Sequence, residues 1–424
     1  MPNRVLQSAR KAVAESFTGL PAPFWWLWVA TLVNRLAGFV ATFLAMYLTI
    51  GLGYSASFAG LVGSLFGGGA AAASVIGGAL TDRIGRRPTV VIAQVATGVS
   101  ILALGLVKHQ IWIALLAFTV GVVSHASRPA IGAMIADMVP DKNRGKAYSL
   151  NFWAANIGFG VSAAAAGFLA EQGYFLLFVG ETIATLICAV LVFLKVPETR
   201  KPPEAKGADQ GGGQAGFRLV LRDGPFMSLV ALTFLVVVMF QQAATTLPIT
   251  MGQESFSSAD YGLLLSLNGL LIVLLQIPLT RAVRNRQPLH MLTLAALLCG
   301  LGFGLTAFAG SLQLYAVTVG IWTLGEIIFA PIGMQTVAQL SPEHARGRYQ
   351  GMYGLAWSSA ALATPVMSGF VIDHLGADAL WAMCAAVGIA AAGGFALLSR
   401  PVERRTQKEE STSNKTTDGV GTPA

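Results

Sequence analysis

Charge is scarce in this sequence. Its 424 residues include 28 Lys and Arg and 20 Asp and Glu, 11% in all, against 54% hydrophobic residues and a mean hydropathy of +0.64. Soluble proteins carry about 25% charged residues, and a soluble chain this long needs a polar shell around roughly two or three domains. The charge present cannot cover that surface, which excludes a soluble enzyme. Cysteine is equally sparse. Cys188, Cys299 and Cys384 lie inside apolar stretches without metal-ligand spacing, so they read as small buried hydrophobes, with no disulfide framework and no metal site. Histidine numbers five, and no His-Glu-x-x-His, Ser-His or paired-acid constellation stands within the apolar runs, which argues against an intramembrane enzyme. A cleavable signal peptide is not expected either. The first 22 residues are polar and basic, and the apolar run that starts near Phe24 is too long for a signal h-region.

Long apolar runs are what the sequence has instead. A helix needs about 20 mainly apolar residues to cross a bilayer, and about twelve such runs are present. The expected spans are 24–49, 57–81, 88–107, 111–138, 147–170 and 174–196, then 226–250, 259–280, 288–310, 313–340, 349–373 and 377–399. Lipid excludes open strands, and no stretch alternates as a barrel strand does. The fold class is therefore an all-α membrane protein of 12 transmembrane helices.

The positive charge looks at first like a nucleic-acid signal, with a formal net charge of +8. Its placement says otherwise. Of the 28 Lys and Arg, all but three fall in the N-terminal tail, the even-numbered connections or the C-terminal tail, counting Lys195 at the end of span 6. Lys108 falls on the other side, and Arg35 and Arg128 lie within spans. This asymmetry orients the chain with both termini cytoplasmic, in a bacterial-type cell membrane, and leaves no nucleic-acid partner.

The longest connection, 197–225, contains Lys201-Pro-Pro-Glu204 and Gly211-Gly-Gly213 and reads as a flexible linker between two sets of six spans, 24–196 and 226–399. Residues 1–23 form a cytoplasmic tail, and the polar, Ser/Thr-rich 400–424 reads as disordered. The halves are related. Pro140, Arg144, Gly145, Gly167 and Phe168 recur 202 residues later as Pro342, Arg346, Gly347, Gly369 and Phe370, and Gly60, Ser64 and Gly67 recur as Gly262, Ser266 and Gly269. Two parallel six-helix repeats around a central cavity are a recurrent transporter design.

Between spans 2 and 3 stands Gly78-Ala-Leu80-Thr-Asp82-Arg83-Ile-Gly85-Arg86-Arg87-Pro-Thr-Val90. This segment resembles the loop signature of the major facilitator superfamily, and with the spans, linker and repeat the resemblance extends over about residues 24–399. It implies a cytoplasmic latch of Gly78, Asp82, Arg83, Gly85, Arg86 and Arg87 with Asp137 at the end of span 4. The corresponding second-half segment, from Leu279 to Pro288, lacks the acid and both glycines, and Asp137 maps to Gln339, so an asymmetric latch is expected. Among branches, the 12-span drug:proton antiporters look closest. Two features depart from that branch: Arg128 stands nearer the cytoplasmic end than the branch's arginine, and span 5 carries Gly158, Gly160 and Gly167 without the usual proline.

A charge at mid-bilayer costs roughly 2.5–3.5 kcal/mol on insertion scales and marks a functional site by default. Arg35, Arg128, Glu181 and Glu326, with His125, are accordingly the candidates for substrate and proton coupling, Glu326 first among the acids. Asn34, Asn151, Asn156, Gln241, Gln242 and Asn268 are cavity candidates, or else interhelical hydrogen-bond partners. Trp25, Trp26 and Trp28 read as an interfacial belt, and the span 2 glycines as sites of close packing. The sequence thus points to a monomeric secondary transporter with a small-molecule substrate and protons as partners, embedded in the bilayer without cofactor. Proton-coupled efflux of small amphipathic molecules is the leading expectation. A uniporter or proton symporter for a small metabolite, with a carboxylate-bearing or zwitterionic one mildly favoured by Arg35 and Arg128, is the alternative, and a membrane sensor of transporter fold the remaining class.

Overall fold

The computed structural model describes residues 19–199, 220–283, 286–342 and 345–418. Those residues are almost entirely helical. Twelve helices are long and apolar enough to cross a membrane: Ala22–Gly51, Ala56–Ala73, Arg86–Leu106, Gln110–Met138, Ala154–Gln172 and Phe175–Lys195, then Gly224–Thr245, Ser258–Val283, Pro288–Phe308, Leu312–Leu340, Arg348–Leu375 and Ala377–Arg400. They are numbered spans 1–12. Their outward side chains are apolar: Phe308, Leu397, Leu194 and Ile389 are each at least 66% exposed. Water would penalise such a belt, whereas lipid tails accept it. The chain is a multi-pass membrane protein.

Two spans differ from the uninterrupted runs that hydropathy suggested. Span 1 is broken. One helix runs Ala22–Leu36, the backbone leaves helical geometry at 37–39, and a second helix runs Val40–Met46 into a π-helical turn, Tyr47–Gly51. Span 7 stops at Thr245, and a short helix, Leu247–Gln253, follows with Pro248 at its start, where the ring's missing N–H is harmless. Hydropathy measures apolarity and does not detect a break in backbone geometry. At the other end of the chain, the last helix runs Ala377–Asp418, through part of the polar tail. That segment is rich in Glu, Arg, Lys and Gln, which favour helix. The linker 200–219 and residues 1–18 lie outside the described residues.

The chain clusters into two compact units. The first holds Met1–Lys206, Ala244–Val273 and Pro365–Asp373; the second holds Gly207–Ala243, Leu274–Thr364 and His374–Ala424. In the first unit two apolar cores stack along the helices. One gathers Phe24, Leu27, Val90, Met134, Ile135 and Val192 toward the end that carries the basic loop 83–87. The other gathers Val40, Leu48, Val62, Ile101, Ile113 and Phe178 toward the opposite end. Backbone-to-backbone contact closes that opposite end. A Cβ on Gly60 of span 2 would collide with the Pro365 carbonyl of span 11, and one on Gly167 of span 5 would come 2.7 Å from the Ser258 carbonyl of span 8. Shifted by 202 residues, Gly60 against Pro365 becomes Gly262 against the Ala163 carbonyl, and Gly167 against Ser258 becomes Gly369 against the Ala56 carbonyl, so the internal repeat seen in sequence is also a repeat in packing.

In the second unit, Phe303, Trp322 and Trp381 form a stack, with ring centroids 5.1 and 6.4 Å apart. Tyr349 donates to Asp223 Oδ2 at 2.8 Å, tying span 11 to the segment that leads into span 7.

Candidate functional site

The break in span 1 organises the site. A backbone N–H freed inside a bilayer must find a partner, and the first N–H of the resumed helix, at Val40, donates to Glu181 Oε2 of span 6 at 2.7 Å. Glu181 therefore caps a broken helix. Arg35 ends the preceding helix, one turn away, and its backbone packs against Gly158 of span 5, where a Cβ would come 3.1 Å from the Arg35 carbonyl carbon.

Around this break, between the two apolar cores, lies a cavity of ≈ 630 Å³. Asn34, Arg35, His125, Arg128, Asn151 and Glu181 all line it, so six sequence candidates converge on one space. Arg35 and Arg128 are both exposed into it, and Arg35, His125 and Arg128 lie within electrostatic range of one another. Asn34 Nδ2 donates to Gln94 Oε1 at 3.2 Å. His125 Nδ1 is 2.9 Å from Ser124 Oγ and 3.2 Å from the Gly121 carbonyl, and Phe66 packs edge-on against the ring. Phe66, Val120, Ile131 and Phe159 supply apolar wall.

The remaining candidates lie elsewhere. Asn156 borders a separate, apolar groove of ≈ 420 Å³ with Gly160, Ser266 and Gly269. Asn268 is buried in the first unit. Gln242 is buried in the second unit and bonds back to its own helix at the Val238 carbonyl, 3.2 Å; Gln241 beside it is half-buried. Glu326 is half-buried on span 10 of the second unit, within electrostatic range of Cys299. Of the three tryptophans expected at the interface, Trp28 instead donates to the Leu150 carbonyl at 2.9 Å, Trp25 packs against it, and Trp26 faces outward at 40% exposure.

The loop residues form a second constellation. Arg86 Nε pairs with Asp137 Oδ2 at 3.2 Å. Arg87 donates to the Phe193 carbonyl and stacks its guanidinium over the Phe193 ring at 4.7 Å. Arg83 is exposed at the end of its helix. Gly78 and the side chain of Asp82 lie outside what the structure describes. Gly85 has φ +104, a conformation that favours glycine, and a Cβ there would also come 2.7 Å from Glu198 Oε2. Glu198 is a residue that sequence reasoning missed, because it sits at the start of the presumed linker. Its carboxylate accepts the N–H groups of Arg86 and Arg87 at 3.1 and 3.0 Å, capping span 3, and Thr199 beside it donates to Asp137 Oδ2 at 3.1 Å. We expect Glu198→Ala to cost about 1 kcal/mol, as cap removals do, read as a lower melting temperature in detergent. Glu198→Gln, which keeps one acceptor, should lose less.

A third constellation closes the opposite end. Asp373 accepts the N–H groups of Ala56 and Ser57 at 3.1 and 2.7 Å, so an acid from span 11 caps span 2. The one signal for it was its repeat position: 202 residues earlier stands Glu171. There the contact differs, with the Tyr174 and Ser258 hydroxyls 3.0 Å apart.

Comparison with known proteins now decides the family. The model for the Major Facilitator Superfamily matches residues 27–364 and, in a second alignment, 323–422. The chain belongs to the Major Facilitator Superfamily. Among superfamily relatives, a Na(+), Li(+), K(+)/H(+) antiporter of Planococcus maritimus is 24% identical over 327 residues, 70% of this chain and 77% of that protein. Multidrug resistance protein MdtH of Aeromonas salmonicida (strain A449) is 24% identical over 323 residues, 74% and 79% of the two chains. In fold, the chain matches a crystal structure of a POT family transporter in complex with 5-aminolevulinic acid, with a TM-score of 0.77, 18% identity and coverage of 91% of this chain and 98% of that one. The protein is a secondary transporter and not an enzyme.

Proposed function

We propose that the protein is a proton-coupled carrier that exports small amphipathic molecules by alternating access, with the cavity beside the span 1 break as its substrate site. The observation that carries this reading is the cavity itself: a space of ≈ 630 Å³ inside a bundle of apolar helices, lined by Arg35, Arg128, His125 and Glu181 together with Phe66 and Phe159. Binding sites for small molecules typically hold about 300–1,000 Å³ with apolar walls and few polar groups. Groups this costly to place in a membrane are kept where they meet a ligand or an ion. The likeness to a multidrug resistance protein and to a cation/proton antiporter supports the antiport form. In this reading both termini face the cytoplasm of a bacterial-type cell, and the loop at Arg86 and Asp137 latches the cytoplasmic end. Glu181 serves the helix break, which leaves Glu326 as the proton carrier. A ligand or proton shifts the balance of states only by binding one state better than the other.

Flux in liposomes with an imposed pH gradient tests the proposal. Over a panel of radiolabelled amphipathic compounds, corrected for leak through protein-free vesicles, at least one should move opposite to the proton about tenfold faster than without a gradient. Glu326→Gln should keep exchange at equal pH and lose the gradient-driven part. Flux indifferent to the gradient would indicate a uniporter, and flux in the proton's direction a symporter; either contradicts the proposal.

A further inference from the structure

The cavity has an imbalance of charge. Two guanidinium groups line it, Arg35 and Arg128, against one carboxylate, Glu181. That carboxylate is already committed to the Val40 N–H. Among the described residues, no hydrogen bond or ion pair joins either guanidinium to another side chain, although both are exposed into the space. Guanidinium groups thus outnumber carboxylates in the lining, and the two arginines repel each other beside a wall of Phe66, Val120, Ile131 and Phe159. Unpaired cations in such surroundings are costly, and a ligand that supplies the missing anion removes that cost.

The structure points to the chemical class of that ligand, and we infer that the site selects small molecules bearing one carboxylate on an apolar body. Two guanidiniums against one committed carboxylate call for an anionic group on the ligand. The planar fork of a guanidinium matches a carboxylate in two parallel hydrogen bonds. Asn34, Gln94 and Asn151 offer further polar contacts at one side, and the aromatic and aliphatic wall takes the body. This inference rests on the cavity being the substrate site, and the test separates the two ideas.

Purified protein in detergent is titrated with phenylacetate, with its neutral isostere phenylacetamide and with the cation phenethylamine. The wild type should bind phenylacetate saturably and about tenfold or more tightly than either of the others. Arg35→Gln and Arg128→Gln should each lose about tenfold or more in phenylacetate affinity, with Arg→Lys restoring part of it, and melting curves show which variants remain folded. Equal binding of the amide or amine, undiminished phenylacetate binding by both folded glutamine variants, or no binding of phenylacetate would each overturn the anion class. A bulky residue in the cavity, Ser124→Trp, judges the site separately. If it removes binding and transport of whichever compound is recognised, the site stands even where the anion class falls. If it changes neither, the site reading itself fails.

Discussion

A disulfide between cysteines placed at Ser57 and Asp373 is expected to stop transport, and a reductant to restore it. The Asp373 carboxylate sits 2.7 Å from the Ser57 N–H and 3.1 Å from that of Ala56, so side chains at 57 and 373 are near the separation that a disulfide spans. Ser57 Oγ also lies 3.4 Å from the Gly369 carbonyl, and about one turn further along Gly60 meets the Pro365 backbone. Spans 2 and 11 are thus in direct contact over about two turns at the end opposite the basic loop. Alternating access requires that contact to part once in each cycle. A covalent bond across it holds one state, and flux of the cross-linked protein should fall to that of protein-free vesicles. Cys188, Cys299 and Cys384 are buried and free, and replacing them with alanine beforehand leaves the new pair as the sole thiols. Transport at the uncross-linked rate with the bond formed would show that this contact does not open.

Replacement of Glu181 carries the second large effect, and its sign separates two roles. As the cap of a broken helix, Glu181 needs to offer only an acceptor oxygen to Val40. Glu181→Gln retains a carbonyl there, so folding and transport should stay within about twofold of the wild type. Glu181→Leu leaves the Val40 N–H unsatisfied within the bilayer, which costs about 1–3 kcal/mol, and it frees the break that holds Arg35 at the cavity wall. We expect a lower melting temperature and loss of most transport. A proton carrier would behave differently: glutamine cannot exchange a proton, so Glu181→Gln would abolish coupling as completely as leucine does. That outcome would move the proton-carrying role from Glu326 to Glu181.

The sequence revealed the architecture and a part of the site. Apolar runs count spans because the bilayer imposes one length on all of them, and the 202-residue repeat survives in the matched contacts of Gly60 with Gly262 and of Gly167 with Gly369. Of the costly intramembrane charges, Arg35, His125, Arg128 and Glu181 line one cavity, whereas Glu326 lies in the other unit. Roles set by backbone geometry were not legible. Glu181 read only as a costly charge within span 6, because nothing in composition announces that span 1 breaks at 37–39. Glu198 and Asp373 carried no signal of their roles, although each caps a helix more than a hundred residues away in the chain. Neutral polar residues were the least predictable. Asn34 and Asn151 face the cavity while Asn156 and Gln242 do not, and the rotation of each helix decides which.

The central claim is that the Arg-lined cavity opens to one side of the membrane and then to the other. Labelling of a single cysteine at Ser124, a half-buried cavity residue at the middle of span 4, tests it most directly, with a membrane-impermeant thiol reagent added from one side at a time. The account predicts labelling from both sides in the free protein. With the 57–373 disulfide formed, labelling should persist from the side of the basic loop and vanish from the opposite side. Undiminished labelling from the opposite side under the lock, or none from the basic-loop side, would contradict it.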